Sequence, residues 1–121
     1  VQLDLMGQEN AESVGTRQLS GIGGQMDFLE GAFRSKGGKG FICINSSRVT
    51  KDGQRKSNIL ATIPGGSTIS APRTMIQYVA TEYGIASLSG KTLRERAEAM
   101  ASIAHPDFRE ELLKYARENF K

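Results

Sequence analysis

The segment SGIGGQMDFLEGA, residues 20–32, puts three glycines in four positions, Gly21, Gly23 and Gly24, directly ahead of a helical pattern. Phe28, Leu29, Ala32 and Phe33 fall on one side of a 3.6-residue period. This predicts a helix over residues 25–35 with those four residues turned inward. The first turn of such a helix has N–H groups without partners and carries the positive end of its dipole. Glycines there let the backbone approach a ligand with no Cβ in the way, which suits an anion or a developing oxyanion. The same glycines also fit a tight turn that needs only positive φ, and the spacing leaves both readings open. Asp27 argues against a purely anionic ligand and is placed to cap the helix.

Around this loop the chain alternates between strand and helix signals. VQLDL reads as a strand over residues 1–6, with Val1, Leu3 and Leu5 on one face. Residues 7–24 are polar and glycine-rich and read as one long loop, a feature that is more often functional than idle. SKGGKG at 35–40 ends the helix. FICIN at 41–45 reads as a strand, KDGQRK at 51–56 as a turn around Asp52-Gly53, and NILATI at 58–63 as the returning strand. PGGS turns again, STIS gives a short strand, and MIQYVAT at 75–81 gives another. Thr92 and Glu95 form a capping box for a helix carrying Leu93, Ala97, Met100 and Ala104. Pro106 suits the first position of a further helix, with Phe108, Leu112, Tyr115 and Ala116 as its apolar stripe. This order predicts an α/β domain: a mixed sheet, flanking helices and two C-terminal helices. The set of elements is short for a doubly wound fold, and the chain starts inside a strand pattern without Met. Both features suggest a fragment of a longer chain.

At 121 residues and 38% apolar composition, one domain with a real core is expected. No apolar run approaches the ~20 residues of a membrane span, and no signal-peptide pattern is present. The single cysteine, Cys43, has no internal partner, which points to a reducing, cytoplasmic setting. Its place in an apolar strand predicts a buried, inert thiol. The net charge is +3, with Lys and Arg scattered among acids. A small basic nucleic-acid-binding module is the alternative this charge allows, but aromatic and basic residues are not interleaved as in RNA-binding sheets. One histidine and one cysteine do not make a zinc site, so no metal is expected. The phosphate motifs fail as well. A P-loop ending at Lys39 would need glycine where Phe33 stands and Ser or Thr where Gly40 stands; a dinucleotide fingerprint would need glycine at Met26. His105 before Pro106 reads as a helix cap rather than a catalytic base. Asn45-Ser46-Ser47 matches a glycosylation sequon by chance. Glu82 follows a strand and precedes a glycine turn, where sites often lie in α/β folds. A carboxylate there can orient a partner chain or join a buried ion pair, and a structural role is preferred over chemistry.

Several stretches together, GQENAES, RQLSGIGGQMDFLEGA, SKGGKGFICI and TEYGIASLSGKTLRERAEAMASIAHPDFREELL, resemble the C-terminal domain of the acetyl-CoA hydrolase/transferase family, in its 4-hydroxybutyrate and butyrate:acetate CoA-transferase branch. The resemblance covers nearly the whole chain. It implies a CoA-transferase-like fold (NagB/RpiA/CoA-transferase type), with residues 1–121 as the C-terminal part of a two-domain chain. It also implies transfer of coenzyme A between an acyl-CoA and a small carboxylate such as acetate, through a glutamyl-CoA thioester. Coenzyme A is then a substrate, and no cofactor is permanently bound. Mapped onto this sequence, the oxyanion loop is Gly23 and Gly24, with Gly24 the better N–H donor. Ser20, Gly23, Gly24, Ser46 and Ser47 map near coenzyme A. The family's nucleophilic glutamate lies upstream of this segment, and Glu9, Glu12, Glu30 and Glu82 do not match its motif. The fragment is therefore expected to be inactive without its N-terminal domain. Acetyl-CoA hydrolysis is the alternative within the family, a regulatory domain without a catalytic half is another, and a homo-oligomer is expected.

Overall fold

The computed structural model describes residues 1–121 and contains two three-stranded mixed sheets, two short hairpins and three helices. In the first sheet, β1 (Gln2–Asp4) lies between β2 (Glu9–Asn10), antiparallel, and β8 (Ile59–Leu60), parallel; Leu3 stands opposite Glu9 on one side and Ile59 on the other. The hairpin of β3 (Ser13–Val14) and β4 (Arg17–Gln18) leads to the glycine loop. In the second sheet, β9 (Tyr78–Thr81) lies between β5 (Phe41–Cys43), parallel, and β10 (Gly84–Ser87), antiparallel. The hairpin of β6 (Ser47–Val49) and β7 (Arg55–Ser57) turns at Asp52-Gly53 as expected, with Gly53 at φ +84°.

The helices are α1 (Gln25–Arg34), α2 (Leu93–Ser102) and α3 (Pro106–Asn119). At the start of α2 the expected capping box is complete. The Glu95 N–H donates to Thr92 Oγ1 at 3.3 Å, and the Thr92 N–H donates to the Glu95 carboxylate at 2.8 Å. Pro106 opens α3, and His105 Nδ1 accepts from the Asp107 N–H at 3.3 Å, so this histidine is the expected cap. α2 packs against both α3 and β10. The core joins Leu3, Leu5 and Ile59 of the first sheet region to Val79, Leu88, Met100 and Leu112 of the second sheet and the helices.

Arg96 ties these parts together. Its buried guanidinium donates to the carbonyls of Met6 at 2.8 Å, Leu88 at 2.9 Å and Arg73 at 2.8 Å. A Cβ on Gly7, whose φ is +89°, would lie 2.8 Å from Arg96 Nη2, so glycine is required there for both conformation and space.

Several expectations are corrected. Residues 7–24 are not one loop but hold β2, β3 and β4, each two residues long and so without a visible period. The single mixed sheet is two. The return from the Asp52-Gly53 turn is made by Arg55–Ser57, and Ile59–Leu60 crosses to β1 instead. STIS forms no strand; only an isolated bridge between Glu9 and Ala71 follows it. The strand predicted at 75–81 begins at Tyr78, and β10 is an additional partner. Cys43 is exposed: the pleat of β5 turns Ile42 inward and Phe41 and Cys43 outward. On α1 only Leu29 is buried, while Phe28 is 82% exposed and Phe33 43%, because the helix meets the body along one narrow edge. No helix is long and apolar enough to cross a membrane.

Candidate functional site

The glycine loop is held from below and open above. Upstream, the Leu19 N–H and Ser20 N–H both donate to the Glu12 carbonyl, at 2.7 and 3.2 Å. The Gln18 side-chain amide donates to the Ser20 carbonyl at 2.6 Å and to the Glu12 carboxylate at 3.1 Å. The Ser70 hydroxyl donates to the same carboxylate at 2.6 Å while accepting from the Ala11 N–H at 2.9 Å. Asn10 accepts through Oδ1 from the N–H groups of Glu12 and Ser13. A layer of buried polar side chains, Glu9, Asn10, Glu12 and Ser70, therefore lies beneath the path into the loop.

From Gly21 to Asp27 the backbone N–H groups donate no hydrogen bond within the chain. Gly21, Ile22, Gly23 and Gly24 are all exposed. Gly23 has φ +62°, a conformation that only glycine adopts without strain. Gly24 is the N-cap of α1 at φ −94°, ψ 10°, which any residue can adopt. A Cβ on Gly24 would meet nothing closer than Asp27 Oδ2 at 3.9 Å. Nothing inside the chain thus demands glycine at position 24, and the clear space above it faces outward. Asp27 makes no capping bond, contrary to expectation; it lies exposed in the first turn, where its charge favours the helix dipole.

The first turn of α1 has one side-chain tie to the body. The Gln25 amide donates to the carboxylate of Glu9. Burial pushes the Glu9 carboxyl above the usual carboxylate range, and the bond from Gln25 opposes that shift. Beside this turn an apolar groove runs between α1 and β5, lined by Phe28, Leu29, Ala32, Phe41 and Ile42, with Lys39 at its rim. Phe41 is stacked on Tyr78, ring centroids 4.8 Å apart. Such a groove suits a thin aliphatic chain ending in an anionic group.

The other expected site residues fall in two places. Ser20 is exposed just ahead of the glycines, and its hydroxyl is unpaired within the chain. Ser46 is fully buried, with its N–H and hydroxyl both donating to Glu82, at 2.9 and 2.5 Å. These bonds hold the Glu82 carboxyl below the usual carboxylate range. Glu82 is exposed, so it joins no buried ion pair. Ser47 is half-buried and accepts from the Arg55 guanidinium at 2.9 Å. Sequence reasoning missed the pair of buried Glu9 and half-buried Gln25. Its signal was an acidic residue inside a segment that otherwise reads as loop. No cluster of His, Cys, Asp or Glu has the makings of a metal site.

Residues 1–116 match the family model of the acetyl-CoA hydrolase/transferase C-terminal domain. A butyryl-CoA:acetate CoA-transferase from Anaerostipes caccae is 49% identical over 116 residues, covering 96% of this chain and 26% of that enzyme. Among solved structures, a 4-hydroxybutyrate CoA-transferase from Porphyromonas gingivalis is 41% identical with a TM-score of 0.73, over 98% of this chain and 25% of that one. RipA from Yersinia pestis gives a TM-score of 0.82 at 39% identity, over 97% of this chain and 26% of that one. The chain therefore spans about a quarter of the length of the relatives it matches. Its mixed α/β fold is that of the corresponding part of these proteins. The chain belongs to the acetyl-CoA hydrolase/transferase family, as its C-terminal domain.

Proposed function

We propose that this chain is the C-terminal part of an acyl-CoA:carboxylate CoA-transferase of the butyryl-CoA:acetate or 4-hydroxybutyrate type. Its glycine loop stabilises charge on a thioester oxygen. The observation that carries the reading is the exposed run of unpartnered N–H groups at Gly23, Gly24 and the first turn of α1. Attack on a thioester puts negative charge on the carbonyl oxygen, and a fixed N–H donor in a dry site supports that charge by about 3–4 kcal/mol. Gly24 is the foremost donor, because its lack of a side chain serves no internal need. Gly23 supplies the turn that presents it.

In this reading the acyl-CoA thioester is attacked by a glutamate carried by the upstream part of the full-length protein. That attack expels coenzyme A as its thiolate and leaves an acyl-glutamyl anhydride. The thiolate then attacks the glutamyl carbonyl, the first carboxylate leaves, and a glutamyl-CoA thioester remains. On it the second carboxylate runs the same two steps in reverse, to depart as its own CoA thioester. Coenzyme A is a substrate, its chain lying near Ser20, Gly23 and Gly24 and the groove beside Phe28 and Phe41. Ser46, buried and bonded to Glu82, and Ser47, bonded to Arg55, do not line that groove. The N-terminal domain completes the site, the assembled enzyme is a homo-oligomer in the cytoplasm, and residues 1–121 are inactive alone. The exposed Phe28 and Phe41 support a further part of the protein covering this face.

The family includes hydrolases as well as transferases, so the test separates the two. Full-length protein is mixed with butyryl-CoA and acetate, and acetyl-CoA and free thiol are followed separately. Acetyl-CoA formed without thiol release is the expected result. Thiol release without acetyl-CoA overturns the transferase reading in favour of hydrolysis.

A further inference from the structure

We infer that Glu9 is a positioning residue for the glycine loop: through the Gln25 side-chain amide it fixes the first turn of α1, against which Gly23 and Gly24 hold their N–H groups. The inference rests on the oxyanion reading of that loop. An oxyanion donor works only if it is held within about 0.5 Å of its productive place. The loop itself supplies little such restraint, since Gly21 to Gly24 are exposed and their N–H groups are unpaired. The helix behind it is seated on one buried residue, Leu29, and on the half-buried Met26, an apolar contact that does not fix direction. The bond from Gln25 to Glu9 is the directional tie that joins this turn to a strand of the first sheet.

Glu9 is a firm anchor. Its N–H donates to the Ala71 carbonyl at 3.0 Å, and its own carbonyl accepts from Ser70 at 2.7 Å and Ala71 at 3.3 Å. β2 holds it opposite Leu3, which is fully buried. Its side chain is expensive where it lies: only 2% of the residue is exposed, and a buried carboxylate is costly unless it is hydrogen-bonded. An apolar residue would fill the same space in the core at lower cost. What the carboxylate adds is a strong, directional acceptor for one amide, and that amide belongs to the first residue of α1. The charge also lies near the positive end of the helix, which favours it.

The test exchanges the two partners in the full-length enzyme. Gln25→Glu sets two carboxylates against each other, Gln25→Met removes the donor at similar volume, and Glu9→Gln/Gln25→Glu restores a carboxylate–amide pair in reverse. Steady-state constants with butyryl-CoA and acetate are measured well below the Tm of every variant. Both single changes at Gln25 are expected to lower kcat tenfold or more while KM for butyryl-CoA stays within threefold, and the exchange is expected to recover kcat to within threefold of wild type. Unchanged kcat in Gln25→Glu and Gln25→Met overturns the inference, as does an exchange variant no better than Gln25→Glu. Gly24→Pro is measured alongside. If it loses turnover while the Gln25 variants keep theirs, the positioning role alone falls; if it too is unaffected, the oxyanion reading falls with it.

Discussion

Ser46 gives both its N–H and its hydroxyl to one carboxylate, that of Glu82, at 2.9 and 2.5 Å. Ser46 follows β5 and Glu82 follows β9, so this pair clamps the ends of the two parallel strands of the second sheet. Ser46 is fully buried, and removing its acceptor leaves two buried donors unpaired. Glu82→Ala is expected to cost about 1–3 kcal/mol, read as a lower Tm of the full-length protein by calorimetry. A Tm equal to wild type would show that water replaces the carboxylate freely.

The same pair sets a pH dependence. Hydrogen bonds from Ser46 lower the Glu82 pKa from its ordinary 4.5. The unfolded chain therefore binds this proton more readily than the folded one. The contribution is fully present above about pH 4.5 and is lost as pH falls through the depressed folded value. Because Glu82 is exposed, the effect is screened and modest. The Tm difference between wild type and Glu82→Gln is expected to shrink as pH is lowered below 4.5. A difference that grows on acidification would reverse the assigned sign.

Gly7 and Arg96 form a tight packing constraint between the first sheet and α2. Gly7→Ala brings a Cβ to 2.8 Å from Arg96 Nη2 and 2.9 Å from Leu88, at φ +89°. Strain of about 1–2 kcal/mol from the backbone adds to the displacement of a three-carbonyl arginine. Arg96→Lys keeps the charge but cannot reach three carbonyls at once, and it is expected to lower Tm as well. Thermal melts of both variants check this; either one melting with wild type would mean the arginine is not the tie described.

The parts legible in the sequence are those fixed by near neighbours. Thr92 and Glu95 stand three residues apart, and His105, Pro106 and Asp107 are contiguous, so both helix starts were readable before any fold was known. The glycine run allows a positive φ without saying where, and of its three glycines Gly23 takes it, at φ +62°. Where the chain meets itself at a distance, no local pattern marks the contact. β2 is two residues long and is held by Leu3 and Ala71, so no period marks it. Gln25 finds Glu9 sixteen residues back, across a hairpin the pattern did not reveal. Hydrophobicity predicts an interior place for Phe28 and Cys43, but their elements turn one edge inward, and Leu29 and Ile42 take it.

Gly23 and Gly24 are glycines for different reasons, and substitution should separate them. Gly23→Ala forces an L residue to φ +62°, a strain of about 1–2 kcal/mol. The turn is expected to relax and carry the Gly24 N–H out of place, lowering kcat in the full-length enzyme. Gly23→Asn, which tolerates the left-handed region better, is expected to retain more activity than Gly23→Ala. Equal activity of the two would remove backbone conformation as the role of Gly23.

The loop's chemistry is tested most directly by kcat of Gly24→Pro in the full-length enzyme, with butyryl-CoA and acetate as substrates and Gly24→Ala as the companion that keeps the N–H. Loss of one oxyanion donor is expected to lower kcat by about 10²–10³-fold, with Gly24→Ala at least tenfold more active than Gly24→Pro. A Gly24→Pro enzyme with wild-type kcat would contradict the assignment of the glycine loop as the oxyanion donor.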